Sequence, residues 1–445
     1  MKRISVVGLG FVGLSTAVYF AAQGYTVIAS SNDKQKVESI KKGIPPFFEP
    51  ELEPVLKKTL KNRKLKLIVG RETAVMNTDI TFVTVGTPSL PDGGADLTFI
   101  KETSKEIGAA LKRKRGYHLV VVKSTVPPGT TETVVKPTVE KYSAKKAGEG
   151  FGLAMSPEFL REGSSMYDVA NPDRVLIGEF DERSGDVLEE LTREAYHNKV
   201  PVLRMSLASA ELAKYASNAF LATKISFINE MANICERIPG VDVTEIAHAM
   251  GLDSRIGSEF LKAGAGWGGS CFPKDTKALV SIASGLGYKS RLVKDVISVN
   301  VAQAKRMVEI AEEELGSLKR KRIAVFGLSF KPNTDDIREA ASLRIIGLLL
   351  AKDAKVIVFD PVAMGNVRKV LGDKISYAKG VPQCLKNADC CMLVTEWDDF
   401  KKLRPKDFIG SMRKPVLVDG RRIYDSKAFS KKLRLRAIGL GKCVR

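Results

Sequence analysis

Three glycines in the stretch Gly8-Leu9-Gly10-Phe11-Val12-Gly13 stand between a β-branched run at 4–8 and an apolar helical stretch at 14–22. That order constrains the fold more than any other feature of the chain. Gly8 serves a tight turn, Gly10 lets backbone approach a pyrophosphate, and Gly13 lets helix and strand pack closely. The helix then opens with unpaired N–H groups and the positive end of its dipole toward an anion. A glycine-rich turn without a ligand is the plainer reading. It does not account for strand, glycines, helix and second strand following one another in this order, so a dinucleotide is expected here.

The second strand, 26–30, runs into Ser31-Asn32-Asp33. An acidic residue about 20 positions past the glycines is expected at the end of that strand, to hold the adenosine ribose. Ser31 takes its place, and Asp33 follows two residues later. Two readings stay open: Asp33 reaches the ribose, or Ser31 with Lys34 and Lys36 tolerates a 2′-phosphate.

Further strand signals fall at 80–85, 119–123, 152–155 and 175–178, with helix-like stretches between several of them, as a parallel sheet with helical crossovers requires. Near residue 205 the character changes. Residues 206–237 carry a helical pattern free of Pro and Gly, and a second helical run covers 293–315. Strand and helix then alternate again, with strands at 322–327, 355–359, 390–394 and 416–419. The chain therefore reads as α/β with three parts: a Rossmann-like dinucleotide-binding domain at 1–204, a helical middle domain at 205–315, and a smaller Rossmann-like α/β domain at 316–445. Middle helices between two α/β domains leave apolar faces uncovered, so a two-fold homodimer through 205–315 is expected.

Lys and Arg total 71 against 51 Asp and Glu, a net charge of +20 over 445 residues. That balance suits an anionic partner. The charges are scattered and lack interleaved aromatics, so nucleic acid is not expected. No apolar run has the length of a membrane span. The six cysteines (235, 271, 384, 390, 391 and 443) show no paired metal-site spacing, which argues against zinc and against a disulfide framework. With no signal peptide at the start, a cytoplasmic protein is expected.

The most informative segment is 264–275, Gly-Ala-Gly-Trp-Gly-Gly-Ser-Cys-Phe-Pro-Lys-Asp. Glycine this dense lets backbone come close to a ligand. Cys271 ends the run beside Lys274 and Asp275, where a thiolate nucleophile can be presented. A buried structural cysteine is the alternative. Glu211, Lys214 and Asn218 share one face of the first middle helix, and a Lys with an amide can stabilise an oxyanion. Two loops directly after strands add Glu158 and Glu162 in one case and Thr125 in the other, in the crevice where α/β sheets bind ligands.

These residues together resemble the UDP-glucose 6-dehydrogenase family, one branch of the UDP-glucose/GDP-mannose dehydrogenases. The matching stretches are GLGFVG (8–13), VGTP (85–88), STVPPGTT (124–131), SPEFLREG (156–163), ELAKYASNAF (211–220), RIGSEFLKAGAGWGGSCFPKD (255–275), GLSFKPNTDDIREA (327–340) and DGRRIYD (419–425). They occur in order over nearly the whole chain. The pattern departs at Ser31 and at Lys262. The resemblance implies oxidation of C6 of UDP-glucose to a carboxylate with two NAD, through a thiohemiacetal and then a thioester on Cys271. Lys214 and Asn218 would stabilise oxyanions, and Asp275 with Thr125 and a water would move protons. Glu158 would assist the aldehyde and thioester steps, and Glu162 would order the site. NAD would meet Gly8, Gly10, Phe11, Val12, Gly13, Ser31, Asp33, Gly86, Thr87, Thr125, Glu162, Lys274 and Arg338. The sugar nucleotide would meet Glu158, Phe159, Leu160, Lys214, Asn218, Phe260, Leu261, Lys262, Gly268, Phe330, Lys331 and Arg421, with Arg255 reaching it from the neighbouring subunit. The first strand of the last domain ends in Gly327-Leu328-Ser329-Phe330-Lys331, which lacks the three-glycine pattern, so a second dinucleotide is not expected there. Competing readings are a GDP-mannose 6-dehydrogenase, a two-electron hydroxyacid dehydrogenase and a non-catalytic dinucleotide sensor. The last two have no need of Cys271.

Overall fold

The computed structural model describes residues 2–441, in two compact units that divide between Ser217 and Asn218. The first unit is built on a sheet of β1 (Ile4–Val7), β2 (Val27–Ser31), β3 (Leu65–Val69), β4 (Ile80–Val83), β5 (Leu119–Val122), β6 (Gly152–Met155), β7 (Val175–Glu179) and β8 (Val202–Ser206). Its order is β3-β2-β1-β4-β5-β6-β7-β8. All neighbours run parallel except β6 and β7. Runs such as Leu-Val-Val-Val in β5 are buried at every position, as a parallel strand covered on both faces needs to be. The strand order reverses between β1 and β4, which opens a crevice at their carboxyl ends.

A buried polar chain crosses the other end of this sheet. Ser5 Oγ lies 2.6 Å from Thr81 Oγ1, which lies 2.7 Å from His118 Nε2. The other ring nitrogen is 3.1 Å from the Thr78 carbonyl and 2.9 Å from Lys114 Nζ. His118 has no exposed surface. Burial, aided by Lys114, pushes its pKa down to about 3.

Helix Leu207–Cys235 starts in the first unit and ends in the second. The second unit adds helices Val243–Gly251, Phe272–Gly285 and Arg291–Leu315, then a sheet of β9 (Arg322–Phe326), β10 (Lys355–Phe359), β11 (Ser376–Tyr377), β12 (Cys390–Leu393), β13 (Val416–Asp419) and β14 (Arg434–Ala437). Its order is β11-β10-β9-β12-β13-β14, all parallel. Counted from its own first strand, this repeats the dinucleotide-fold order 3-2-1-4-5-6.

The sequence missed β3, β8, β11 and β14, the outer strands of the two sheets. Lys66 in β3, Arg204 in β8, and Arg434 and Arg436 in β14 blunt the open edge and break the apolar signal, and β11 has only two residues. In β14, Arg434 and Arg436 both pair with Glu314.

Candidate active site

The glycine motif has the geometry its sequence implies. Gly8 has φ +107°, and a methyl built on it would lie 2.7 Å from the Thr84 carbonyl. A methyl on Gly13 would lie 1.8 Å from the Gly8 carbonyl oxygen. Around Gly10, by contrast, the same methyl meets nothing within 4 Å. Gly10 caps helix Phe11–Ala22 without a side-chain hydrogen bond, so the first N–H groups are left for a ligand phosphate. The motif thus fits a dinucleotide. Phe11 packs on Phe47, with ring centres 5.6 Å apart, and Val12 is half-buried.

Three loops at this end of the sheet are tied together. Thr84 donates to the Gly8 carbonyl at 2.9 Å, Thr87 to the Thr125 carbonyl at 2.7 Å, and Ser124 to the Val85 carbonyl at 2.7 Å. Gly86 is exposed beside them. Ser31 ends β2 and accepts the Asp33 N–H at 3.2 Å. Asp33 caps helix Lys34–Lys41 by accepting the Lys36 N–H at 2.9 Å. One of its oxygens is therefore committed to the helix.

Glu158 and Lys214 form a buried ion pair at 3.1 Å, with side chains 6% and 3% exposed. Glu158 also accepts the Leu160 N–H at 2.6 Å. The Lys214 ammonium lies 5.2 Å from the centre of the Phe159 ring, which Arg174 covers at 4.1 Å. Sequence reasoning passed over Lys123, next to Ser124 and Thr125. Burial pushes its ammonium down to about 8, with Glu158 opposing and Lys214 adding to the shift. Its position at a strand end is the signal that had picked out Thr125. Glu162 is buried nearby in sequence.

Glu211 has a different task from the one its helix face suggested. Its carboxylate accepts the N–H groups of Gly129 and Thr131. It is fully buried, and that burial raises its pKa. It anchors the loop after β5 instead of standing beside Lys214 for catalysis.

In the second unit, Cys271 is the N-cap of helix Phe272–Gly285, so the segment expected as a loop ends in a helix start. Its sulfur lies 3.6 Å from Ser270 Oγ. Asp275, one turn on, is almost fully buried. Its two oxygens accept from Asn218 Nδ2 and Lys274 Nζ, each at 2.6 Å. The glycines before Cys271 are also closely packed by protein. A methyl on Gly264 would lie 2.6 Å from the Gly420 carbonyl, on Gly266 2.8 Å from Asn300 Oδ1, on Gly268 2.4 Å from the Glu339 carbonyl, and on Gly269 2.7 Å from the Phe330 ring. The Trp267 N–H and carbonyl are both held by Asn300, at 2.7 and 2.9 Å.

The remaining expected contacts scatter over the second unit. Arg421 donates to the Val394 carbonyl at 2.6 Å and lies 3.4 Å from Glu396. Lys331 is half-buried, its ammonium 5.6 Å from the Phe330 ring centre. Leu261 is buried, Lys262 exposed, and Phe260 adopts φ +65° with its ring 6.2 Å from that of Phe272. Arg338 pairs with Asp336, and Arg255 with Asp253 while its side chain is 87% exposed.

Residues 2–196 match the NAD binding domain of the UDP-glucose/GDP-mannose dehydrogenase family, residues 208–302 its central domain, and residues 324–426 its UDP binding domain. The chain belongs to this family. Its similarity to single relatives is as extensive. It is 42% identical to the UDP-glucose 6-dehydrogenase TuaD of Bacillus subtilis, over 95% of this chain and 90% of that protein. It is also 42% identical to the UDP-glucose 6-dehydrogenase AglM of Haloferax volcanii, over 95% and 97%. A UDP-glucose dehydrogenase structure from the hyperthermophilic archaeon Pyrobaculum islandicum superposes with a TM-score of 0.91 at 40% identity, covering 99% of this chain and 98% of that one. The expected α/β fold, with an N-terminal NAD-binding and a C-terminal UDP-binding domain, is that of the family. NAD is the cofactor of the dehydrogenase.

Proposed function

We propose that this dehydrogenase oxidises UDP-glucose at C6 to UDP-glucuronate, with Cys271 as covalent nucleophile. The observation that carries the reading is Cys271 at the start of a helix whose first turn supplies Asp275, bound to Asn218 and Lys274. The positive end of a helix favours an anion at that point. Relatives named UDP-glucose 6-dehydrogenase at about 40% identity over the chain favour this substrate over GDP-mannose.

Bound NAD supplies the acceptor for each of two hydrides. In the first oxidation the C6 hydroxyl gives up its proton and C6 becomes an aldehyde. The Cys271 sulfur then bonds to C6, leaving a thiohemiacetal oxyanion. Loss of the second hydride gives a thioester. Water adds to that carbonyl, the C–S bond breaks, and the thiolate leaves as the carboxylate forms. Lys214 and Asn218 supply donors to the oxyanions. Asp275 and Thr125 handle protons, and Glu158, by its ion pair, orients Lys214. Capture on sulfur keeps the aldehyde from escaping.

Support for the substrate set is residue by residue: Phe330, Lys331, Arg421 and Lys262 for the diphosphate end, and Phe260 and Leu261 for the base or sugar. The division at 204/205 and 315/316 is likewise a proposal, supported by three separate family matches. A homodimer through 205–315 is supported by large exposed side chains in that segment, among them Phe220 (65%), Leu252 (74%), Leu286 (81%) and Leu292 (67%). A cytoplasmic location is supported by cysteine usage, since none of the five described cysteines is in a disulfide; Cys443 lies outside the described residues. Among the described residues no helix is long and apolar enough to cross a membrane.

The decisive measurement is stoichiometry. Each UDP-glucose consumed should yield two NADH and one UDP-glucuronate, and Cys271→Ala should abolish acid formation while still binding NAD. One NADH per sugar with free aldehyde would overturn the covalent scheme.

A further inference from the structure

The two sheets place equivalent residues at equivalent points. Val7 pairs with Ser30, and the next N–H, of Gly8, donates to the Ser30 carbonyl at 2.9 Å. Phe326 pairs with Phe359, and the next N–H, of Gly327, donates to the Phe359 carbonyl at 2.9 Å. Gly8 and Gly327 both have positive φ, +107° and +88°. Each is closely packed by a threonine just past the fourth strand of its sheet, Thr84 in one case and Thr395 in the other. The threonine hydroxyls donate to the loops that follow, from Thr84 to the Gly8 carbonyl and from Thr395 to the Ser329 carbonyl at 2.6 Å.

In this correspondence Ser31 matches Asp360. The acidic residue that dinucleotide folds carry at the end of their second strand is missing from the NAD-binding sheet and present in the other. Asp360 does not face outward to a ribose. It is buried, and its Oδ2 accepts from the Leu328 N–H at 2.7 Å, the Ser329 N–H at 3.2 Å, the Ser329 hydroxyl at 3.3 Å and Trp397 Nε1 at 3.0 Å. Its Oδ1 accepts from the N–H groups of Val362 and Ala363, at 2.9 and 2.8 Å. The Leu328 and Ser329 N–H groups are the counterparts of those of Leu9 and Gly10 in the cofactor turn, and with Trp397 Nε1 they form a cradle of donors around one oxygen.

We propose that Asp360 is a built-in anion. It occupies the cradle that these donors form, closes that cradle to an external anion, and fixes the loop Gly327–Lys331 so that Phe330 and Lys331 face the sugar nucleotide. Asp360 is thus a positioning residue that sets what the second sheet can bind. The part about the sugar nucleotide rests on the function proposed above; the part about the cradle does not.

Two variants test the parts separately. Asp360→Gly removes the internal anion and keeps the donors. Its thermal midpoint should rise with added inorganic phosphate, beyond the effect of chloride at equal ionic strength, whereas the wild type should not respond. Folding only in phosphate supports the cradle equally. A variant that responds no more than the wild type, or that folds in neither salt, overturns it. Asp360→Asn keeps the shape and turns an acceptor oxygen into a donor facing donors. Its KM for UDP-glucose should rise about tenfold, with kcat and the KM for NAD within about twofold of wild type. An unchanged KM for UDP-glucose, or an equal loss in all three constants, overturns the positioning role. If UDP-glucose is not turned over at all, the proposed substrate fails while the phosphate measurement still decides the cradle.

Discussion

Gly10 and Gly13 lie one helical turn apart, yet their replacement by alanine should damage different properties. At Gly13 the added carbon lands 1.8 Å from the Gly8 carbonyl oxygen, where contacts under 3.0 Å are essentially never made. The Gly8 oxygen belongs to the backbone and the Cβ is fixed to it, so helix Phe11–Ala22 must move off β1. Overpacking of this kind costs ~1–3 kcal/mol, which lowers the thermal midpoint by roughly 3–10 °C for a unit of this size. At Gly10 the carbon meets no protein atom, and the backbone there, φ −82° and ψ −168°, suits any residue. Stability should change by only a few tenths of a kcal/mol. The methyl nevertheless stands where the pyrophosphate approaches, and it displaces one N–H bond to a charged oxygen. At ~1.5–3 kcal/mol for such a bond, NAD affinity should fall about 10- to 100-fold. Calorimetric titration with NAD and thermal unfolding, run on both variants, separate the effects. Tight NAD binding by Gly10→Ala would refute the assignment of this turn as the phosphate site. A wild-type midpoint for Gly13→Ala would refute the packing argument.

Three further results are expected. Because Ser31 stands where a carboxylate would repel a 2′-phosphate, NADP should be rejected less firmly than usual, and Ser31→Asp should widen the NAD preference in kcat/KM; complete exclusion of NADP by the wild type would shift discrimination to Asp33 or to loop shape. His118 binds no proton in the folded protein until about pH 3, whereas an unfolded histidine does so near 6.5, so stability is fully present above pH 6.5 and falls as pH drops through that window. The loss should reach ~2 kcal/mol at pH 5, and His118→Gln should flatten the acid side of a plot of thermal midpoint against pH; an unchanged slope would count against the buried neutral ring. Finally, if Arg255 serves the neighbouring subunit, refolding equal amounts of inactive Arg255→Ala and Cys271→Ala proteins together should restore roughly a quarter of wild-type activity, while action within its own chain would restore none.

The inner strands and the long helices were legible because their signals are local: β-branched runs bounded by turns, and a helical stretch without Pro or Gly. The cofactor turn was legible because each glycine answers a backbone constraint within a few residues. Outer strands β3, β8 and β14 were hidden by their charges, and β11 by its two-residue length. The meaning of the glycines before Cys271 was hidden for another reason. They are required by Gly420, Asn300, Glu339 and Phe330, partners 34 to 156 residues away in the sequence, and nothing local announces them. Glu211 misled in the same way: its spacing from Lys214 is a helix property, but its partners are main-chain N–H groups some 80 residues earlier. Asp360 looks like an ordinary strand-end acid until its hydrogen bonds are counted.

The packing of Phe330 on Gly269 also bears on how the nucleophile is kept under control. The ring leaves no space for even a methyl on a residue two positions from Cys271, and the Gly269 N–H is tied to the Arg338 carbonyl at 2.9 Å. A ligand that shifts the loop carrying Phe330 by a fraction of an ångström must shift the peptide leading to the thiol as well. If, as proposed, that loop holds the nucleotide and Cys271 is the nucleophile, the two share one mechanical linkage through Gly269.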